Sequence, residues 1–280
     1  MILSELEVRE AFHCHLLANL PSDYRDPPSG APALRLKGGV NLRLFLGSPR
    51  YSEDIDFDLA PKRGPKFLNH LKQLLADSRF LAELLELGIT DLSINKIHGG
   101  RGDSHGFRQK LTLTHGGVKY ATKIEVSYRE ETPAGDAKCL PIPDRFCQRY
   151  GVVSGVRVAA YPKMVAAMHK VLALSRRDPP QTRDAFDFDH LIHDSDPELA
   201  DAARRLVQTR MTVAQVLAAA ETVAALDHAS FKFQVAEYLP DTLRNDAIAA
   251  WEAQRERTWI WLEQLGHEMG EAHAVPPGSA

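Results

Sequence analysis

Apolar residues recur at helical spacing over the first twenty positions: Leu3, Leu6, Val8, Phe12, Leu16, Leu17 and Leu20. A stretch rich in Pro, Gly and Asp, residues 21–32, ends that pattern. Ala33 to Leu36 reads as a short strand or a strand-like lead-in, and Val40 to Leu46 as a helix closed by Gly47-Ser48-Pro49. The period then changes to two. Ile55, Phe57 and Leu59 alternate with Asp54, Asp56 and Asp58, the pattern of a strand with one apolar face. Residues 66–87 read as one amphipathic helix ended by Gly88. Three strands follow, 89–98, 107–114 and 118–128, the last two joined by the hairpin signal His115-Gly116-Gly117. A loop with Pro133, Gly135, Pro141 and Pro143 leads to one more short strand over 152–159. After Tyr161 every segment reads as helix: 162–176, 183–193, 197–208, 212–225, 229–239 and 241–265.

The pattern predicts an α/β N-terminal lobe with a mixed or antiparallel sheet and an all-α C-terminal lobe. The expected domains are 1–150, with the N-terminal helix, and 151–268, followed by a flexible tail over 269–280. Composition narrows the class. With 44% hydrophobic and 25% charged residues among 280, the chain is neither disordered nor collagen-like. A net charge of −3 excludes a protein that coats nucleic acid by bulk charge and leaves room only for a local basic patch. Cys14, Cys139 and Cys147 are too few and too irregular for a disulfide framework or zinc site, and are expected as reduced thiols. The most apolar long stretch, 152–174, is broken by Arg157, Lys163, His169 and Lys170, so no membrane span is expected. The N-terminus lacks the apolar core of a signal peptide, and a cytoplasmic location is expected.

The chemistry starts at Ser52-Glu53-Asp54-Ile55-Asp56-Phe57-Asp58. On a strand Asp54, Asp56 and Asp58 point to one face, where their charges repel. Mg²⁺, a hard ion that takes carboxylate oxygens together with substrate phosphates, resolves the conflict; a solvent-facing acidic edge strand also fits the spacing. Lys37-Gly38-Gly39 opens the helix at Val40. Glycines let a backbone approach a ligand, and free amides at a helix start attract phosphate, although a plain glycine turn reads the same way. Arg43 and Arg50 carry further charge suited to phosphate, Arg43 equally suited to a solvated helix face. Glu125 in Lys123-Ile124-Glu125-Val126-Ser127 is placed to join Asp54 and Asp56 or to sit on a half-exposed strand. Asp184 and Asp187, three apart on a helix, share a face, and Asp184 also suits the helix dipole.

The run LKGGVNLRLFLGSPRYSEDIDFDL resembles the signature of the AbiEii/AbiGii-type nucleotidyltransferases, toxins of type IV toxin–antitoxin and phage-defence systems in the DNA polymerase β-like superfamily. KIEVS at 123–127 is similar to that family's following strand. PKMVAAMHKVLALSRRDPPQTRDAFDFDHLI at 162–192 is similar to its helical segment with a lysine and an R-D-x-x-D turn. The resemblance implies a nucleotidyltransferase core in the first domain and an active site between the two lobes. It implies Gly38 and Gly39 against nucleotide phosphates, with Lys37, Arg43, Arg50, Ser52 and Arg183 as further nucleotide-binding residues. It implies Asp54 and Asp56 as metal ligands, with Glu125 as third ligand or base, and Lys170, Asp184 and Asp187 as catalytic residues. His169 stands where the family often has glutamate, Val40 where it often has Thr or Ser, and Lys163 is a second candidate for the lysine.

The implied reaction moves a nucleoside monophosphate from an NTP to an acceptor hydroxyl with Mg²⁺ or Mn²⁺. The resemblance makes the 3′ end of tRNA the leading acceptor, since toxins of that family include some that add nucleotides there; Lys96, Arg101, Arg108, Lys110, Lys119, Lys123 and Arg129 offer a basic strand region, interleaved with Thr112 and Thr114, that suits an RNA backbone. A solvated strand face gives the same pattern. A cognate antitoxin is the expected partner, acting through phosphorylation of Ser52. A small-molecule or protein acceptor, a non-catalytic binding relative, and a Mg²⁺-dependent nuclease are the competing readings.

Overall fold

The computed structural model describes residues 3–26, 32–99, 105–128, 136–193 and 197–274. The chain folds as two compact units, Met1–Gly47 with Tyr51–Pro162, and Ser48–Arg50 with Lys163–Ala280.

In the first unit α1 (Glu5–Asn19) and the short α2 (Ser22–Arg25) precede β1 (Leu34–Lys37), α3 (Gly38–Phe45) and β2 (Ile55–Leu59). A 3₁₀ turn, α4 (Gly64–Leu75) and α5 (Ser78–Glu86) lead to the long strands β3 (Ile89–Gly99), β4 (Gly106–His115) and β5 (Val118–Tyr128). Then come β6 (Lys138–Pro141), α6 (Asp144–Tyr150) and β7 (Arg157–Ala160). The seven strands form one mixed sheet in the order β3-β4-β5-β2-β1-β7-β6. β2 is antiparallel to β1 and parallel to β5, while β1 is parallel to β7.

Alternation on these strands separates two faces. Leu36, Ile55, Phe57, Leu111, Leu113, Ile124 and Val126 join Phe12, Leu16, Phe67, Leu71, Phe80 and Leu84 from α1, α4 and α5 in one buried cluster. Burying such side chains stabilises by roughly 1.5–3 kcal/mol each, which holds the register against a one-residue slip. The intervening positions, Lys37, Asp56, Asp58, Arg108, Lys110, Lys123 and Glu125, are thereby set on the opposite, polar face.

Four expectations are corrected. The single helix over 66–87 is two, because the Asp77 carboxylate accepts from the amides of Arg79 and Phe80 and caps a new start. The loop before residue 152 contains β6 and α6, and the strand expected over 152–159 is confined to β7; Pro133 and Gly135 lie outside the described residues. The first unit does not end at 150, since β7 pairs with β1 through Leu36 and Ala160. Nor does the last helix stop near 265.

That last point concerns the second unit: α7 (Lys163–Arg176), α8 (Thr182–His193), α9 (Pro197–Arg210), α10 (Val213–Ala225), α11 (His228–Gln234), a 3₁₀ turn at Ala236–Tyr238, and α12 (Asp241–Ala274). Leu262, Leu265 and Met269 continue the buried stripe of α12, so it runs past Gly270 to Ala274, and residues 275–280 lie outside the described residues. Trp251 stacks on Phe231 with centroids 4.5 Å apart, and Trp261 meets Phe188 edge-on at 5.1 Å. Cys14, Cys139 and Cys147 are free thiols. Among the described residues no helix is long and apolar enough to cross a membrane.

Candidate active site

The acidic strand lies in the middle of the sheet. Antiparallel pairing sets Lys37 of β1 opposite Asp56 of β2, and parallel pairing sets Asp56 beside Glu125 of β5. Lys37, Asp56 and Glu125 therefore form one row across three strands. One step on, Arg35, Asp58 and Ser127 form a second row. The alternation that buried Ile55 and Phe57 sends all these polar groups to one face.

Gly38 explains the turn beside that row. Its φ is +68°, and a Cβ built there would lie 2.4 Å from Asp56 Oδ2. Two constraints thus converge on glycine: the left-handed conformation and the approach of the backbone to a carboxylate. The chain turns from β1 into α3 directly over Asp56. Gly39 follows as a buried residue in the first turn.

The charges on this face are arranged in pairs. Lys37 Nζ donates to Asp58 Oδ1 at 2.6 Å and to Ser127 Oγ at 3.1 Å, and the Tyr161 hydroxyl donates to Asp58 Oδ2 at 3.0 Å. Asp58, only 1% exposed, is thus the anchor of Lys37. Lys123 Nζ lies 3.0 Å from Asp54 Oδ2 and 3.7 Å from Glu125 Oε2, and Arg108 Nε donates to Glu125 Oε2 at 3.0 Å. Ser52 donates its hydroxyl to the Asp54 carbonyl at 2.9 Å, fixing the lead into β2.

Asp56 is the exception to this balance. Burial raises its pKa; Lys37 pulls it back, but Glu125 and Asp54 push it up again, and the net shift is upward. Glu125 shifts the other way. Burial works against its charge, yet the hydrogen bond and charge of Arg108, with Lys123 and Lys37, hold its pKa below the usual value. A carboxylate short of counter-charge, flanked by two more carboxylates, is a setting that a divalent cation relieves, and an all-oxygen donor set suits Mg²⁺ or Mn²⁺. Asp54, Asp56 and Glu125 fit such an ion by chemistry. Among the described residues no three His, Cys, Asp or Glu side chains are gathered into a ready cage, and Lys123 and Arg108 are engaged with Asp54 and Glu125.

The helical unit brings together the second set of expected residues. Lys170 on α7 donates to Asp184 Oδ1 at 2.9 Å and Asp187 Oδ2 at 2.7 Å, both on α8. Arg177 donates to Asp184 Oδ2 at 2.7 Å. Arg50, from the segment counted with this unit, grips Asp187 with two bonds, Nε to Oδ1 at 3.0 Å and a terminal nitrogen to Oδ2 at 2.7 Å. Asp187 is fully buried, yet Arg50 first and then Lys170 keep its pKa well below the carboxylate range. Arg183 sits half-buried in the first turn of α8, and Lys163, half-buried, begins α7.

Two expectations for phosphate-directed arginines change here. Arg50 is 4% exposed and bidentate on Asp187, so its place is in the ion cluster of the helical unit. Arg43 donates to Glu10 Oε1 at 2.6 Å and lies over the Tyr51 ring at 4.0 Å, in a network with the Tyr150 hydroxyl, which also donates to Glu10. Sequence reasoning missed Asp58 and Tyr161 as supports of Lys37, and Lys123 and Arg108 as partners of the carboxylates. The available signal was position: Asp58 lies two beyond Asp56, and Lys123 two before Glu125, each on the same strand face. Of the basic strand region, Arg101 and Arg129, like the side chain of Lys96, lie outside the described residues.

Comparison with known proteins identifies relatives of this fold. The chain is similar over its whole length to JHP933 from Helicobacter pylori, with TM-score 0.53, 16% identity, and 98% of this chain and 97% of that one covered. It is equally similar in fold to MenT4, a nucleotidyltransferase toxin from Mycobacterium tuberculosis H37Rv, with TM-score 0.52, 18% identity, and coverage of 98% and 99%. No curated protein sequence matches. A family model described as nucleotidyl transferase AbiEii toxin, type IV TA system, matches residues 24–257. That span takes in the glycine turn, the acidic strand and the lysine–aspartate cluster, and the chain belongs to the AbiEii nucleotidyltransferase toxin family.

Proposed function

We propose that this nucleotidyltransferase moves a nucleoside monophosphate from an NTP to a hydroxyl at the 3′ end of tRNA, releasing pyrophosphate and so blocking translation. The observation that carries the reading is the row Lys37, Asp56 and Glu125, with Gly38 packed over the Asp56 carboxylate. Asp54 and Asp56, with Glu125, would hold Mg²⁺ or Mn²⁺. When bound, such an ion neutralises triphosphate charge and eases ionisation of an attacking hydroxyl. Glu125 is alternatively the base for the acceptor. Gly38 and Gly39 leave the backbone at the start of α3 open to phosphate oxygens, and Lys37, fixed by Asp58 and Ser127, adds a preorganised positive charge. Lys170, Asp184, Asp187 and Arg183 form the second catalytic group. With Arg50 and Arg177 the cluster sets three paired cations, Arg50, Lys170 and Arg177, against two carboxylates, an excess suited to an anionic substrate.

The RNA acceptor is supported by the polar face of the hairpin. Lys110 pairs in register with Lys123 and Thr114 with Lys119, which sets cations and hydroxyls beside one another on the face that also carries Glu125. Toxin–antitoxin membership supports an antitoxin partner, and we propose that it acts by phosphorylating Ser52. A phosphate there adds about −1.5 to −2 charges beside Asp54 and repels a triphosphate. Intact mass after co-expression with the neighbouring gene product tests this; an unchanged mass refutes it. The main test is incubation with each labelled NTP, Mg²⁺ and total RNA. Label in tRNA with wild type but not with Asp56→Ala is the expected result. Label confined to protein or to small molecules refutes the RNA reading.

A further inference from the structure

The Lys123 ammonium lies between Asp54 and Glu125, touching the first at 3.0 Å and approaching the second to 3.7 Å. It also lowers the pKa of Asp56, so it acts on all three carboxylates of the acidic face. Its position is set by the fold. Lys123 and Glu125 are two apart on β5 and share a face, and the parallel pairing of β2 with β5 brings Asp54 alongside. The side chain is 29% exposed and so is reached by solvent. Arg108, by contrast, is directly opposite Glu125 on β4 and bonds it alone among the carboxylates through Nε.

Three carboxylates on one face are costly without counter-charge, and a single ammonium serves two of them directly. We propose that Lys123 is a built-in counter-ion: it holds Asp54 and Glu125 together in the metal-free protein and competes with the divalent cation for them. The proposal rests on the metal-binding reading given above. Its consequence is that removing Lys123 strengthens metal binding, the reverse of what loss of an ordinary positively charged ligand-binding residue does to an anionic substrate. The competing pair is a partly exposed one, so the gain is about twofold to fivefold in affinity.

The experiment measures Mn²⁺ binding to the full chain, without nucleotide, by electron paramagnetic resonance of free Mn²⁺. Wild type, Lys123→Gln, Lys123→Arg, Asp54→Asn and Asp56→Asn are compared, with circular dichroism to confirm the fold. Lys123→Met replaces Lys123→Gln if the latter fails to fold. Lys123→Gln is expected to bind about twofold to fivefold tighter than wild type, and Lys123→Arg close to wild type. The Mn²⁺-induced rise in melting temperature is expected to be larger in Lys123→Gln, whose metal-free carboxylates are left unscreened. Equal or weaker binding by Lys123→Gln, with wild-type binding still dependent on Asp54 and Asp56, overturns the counter-ion role and leaves the metal reading standing. Mn²⁺ binding that is absent, or indifferent to Asp54 and Asp56, overturns both.

Discussion

His13 makes the α/β unit sensitive to acid. It lies on α1, 2% exposed, with its ring edge-on to Phe12 at 5.9 Å and Nε2 3.3 Å from Thr122 Oγ1. The Thr122 hydroxyl donates to the Glu53 carbonyl at 2.6 Å, so this buried chain ends at the lead into the acidic strand. Burial, with the charge of Arg9 added, holds the imidazole pKa down at about 3, against 6.5 for a free side chain. The folded state therefore keeps His13 neutral, while the unfolded chain takes up a proton below 6.5. Stability is full above the unfolded value and is lost as pH falls toward 3. Integrated from about pH 7.5 to about pH 5, the loss is about 2 kcal/mol from this residue alone. His13→Leu removes the titration, whatever it does to absolute stability. Urea unfolding followed by far-ultraviolet circular dichroism should show the wild type losing about 2 kcal/mol more than the variant over that interval. Contributions common to both proteins cancel in the difference. All three tryptophans lie on α12, so their fluorescence reports the helical unit and serves as the internal control. Parallel pH profiles for the two proteins, or a nuclear magnetic resonance titration placing His13 near pH 6, refute the reasoning.

Gly38→Ala is expected to lose activity by about 10²-fold, since its Cβ would stand 2.4 Å from Asp56 Oδ2 and the carboxylate must move. The left-handed backbone adds a stability cost of about 1–2 kcal/mol, small enough for the fold to survive, and single-turnover rates beside a melting curve separate the two effects. Asp187→Asn leaves Arg50 and Lys170 without their shared carboxylate and should cost the helical unit about 3–5 kcal/mol in urea, read by tryptophan fluorescence. A loss under about 1 kcal/mol, as expected for an exposed pair such as Arg244 with Asp241, contradicts the assignment. Because the pKa of Asp187 is held low, its contribution is complete above about pH 5 and declines only on acidification below the unfolded carboxylate range. Asp58→Asn should loosen Lys37 and raise the KM for NTP more than it lowers kcat, which steady-state kinetics resolves.

Periodicity carried most of the architecture. The two-residue alternation at 55–59 and 118–128 was strong because one face of each strand is almost wholly apolar, and both strands stand where expected. Boundaries failed where a local polar group overrode the pattern. Asp77 interrupts a continuous apolar stripe because its carboxylate caps α5 better than a helix interior would tolerate it. β6 and α6 were hidden among prolines: Pro141 and Pro143 read as loop, yet Pro143 stands in the N-cap position of α6, and Pro141 is in a terminal strand of the sheet.

For the candidate site the limit was different. Residue types announced carboxylates, glycines and cations, but not which cation meets which carboxylate. That depends on register and on contacts distant in sequence. Asp56 and Glu125 are neighbours only because β2 and β5 pair in parallel with no offset between those two residues. Arg50 reads as a phosphate-directed arginine until its partner is known, 137 positions away. The same pairing that makes Glu125 available also brings Lys123 to Asp54, and no spacing rule within one strand can foresee a charge delivered by another. The physical distinction within the acidic face follows from this. Asp58, satisfied by Lys37 and Tyr161, is a support, whereas Asp56, with its pKa raised between Asp54 and Glu125, is the carboxylate whose charge is left least compensated. Uncompensated charge costs folding free energy, and it is retained here at the one position where the backbone of a glycine turn closes over it.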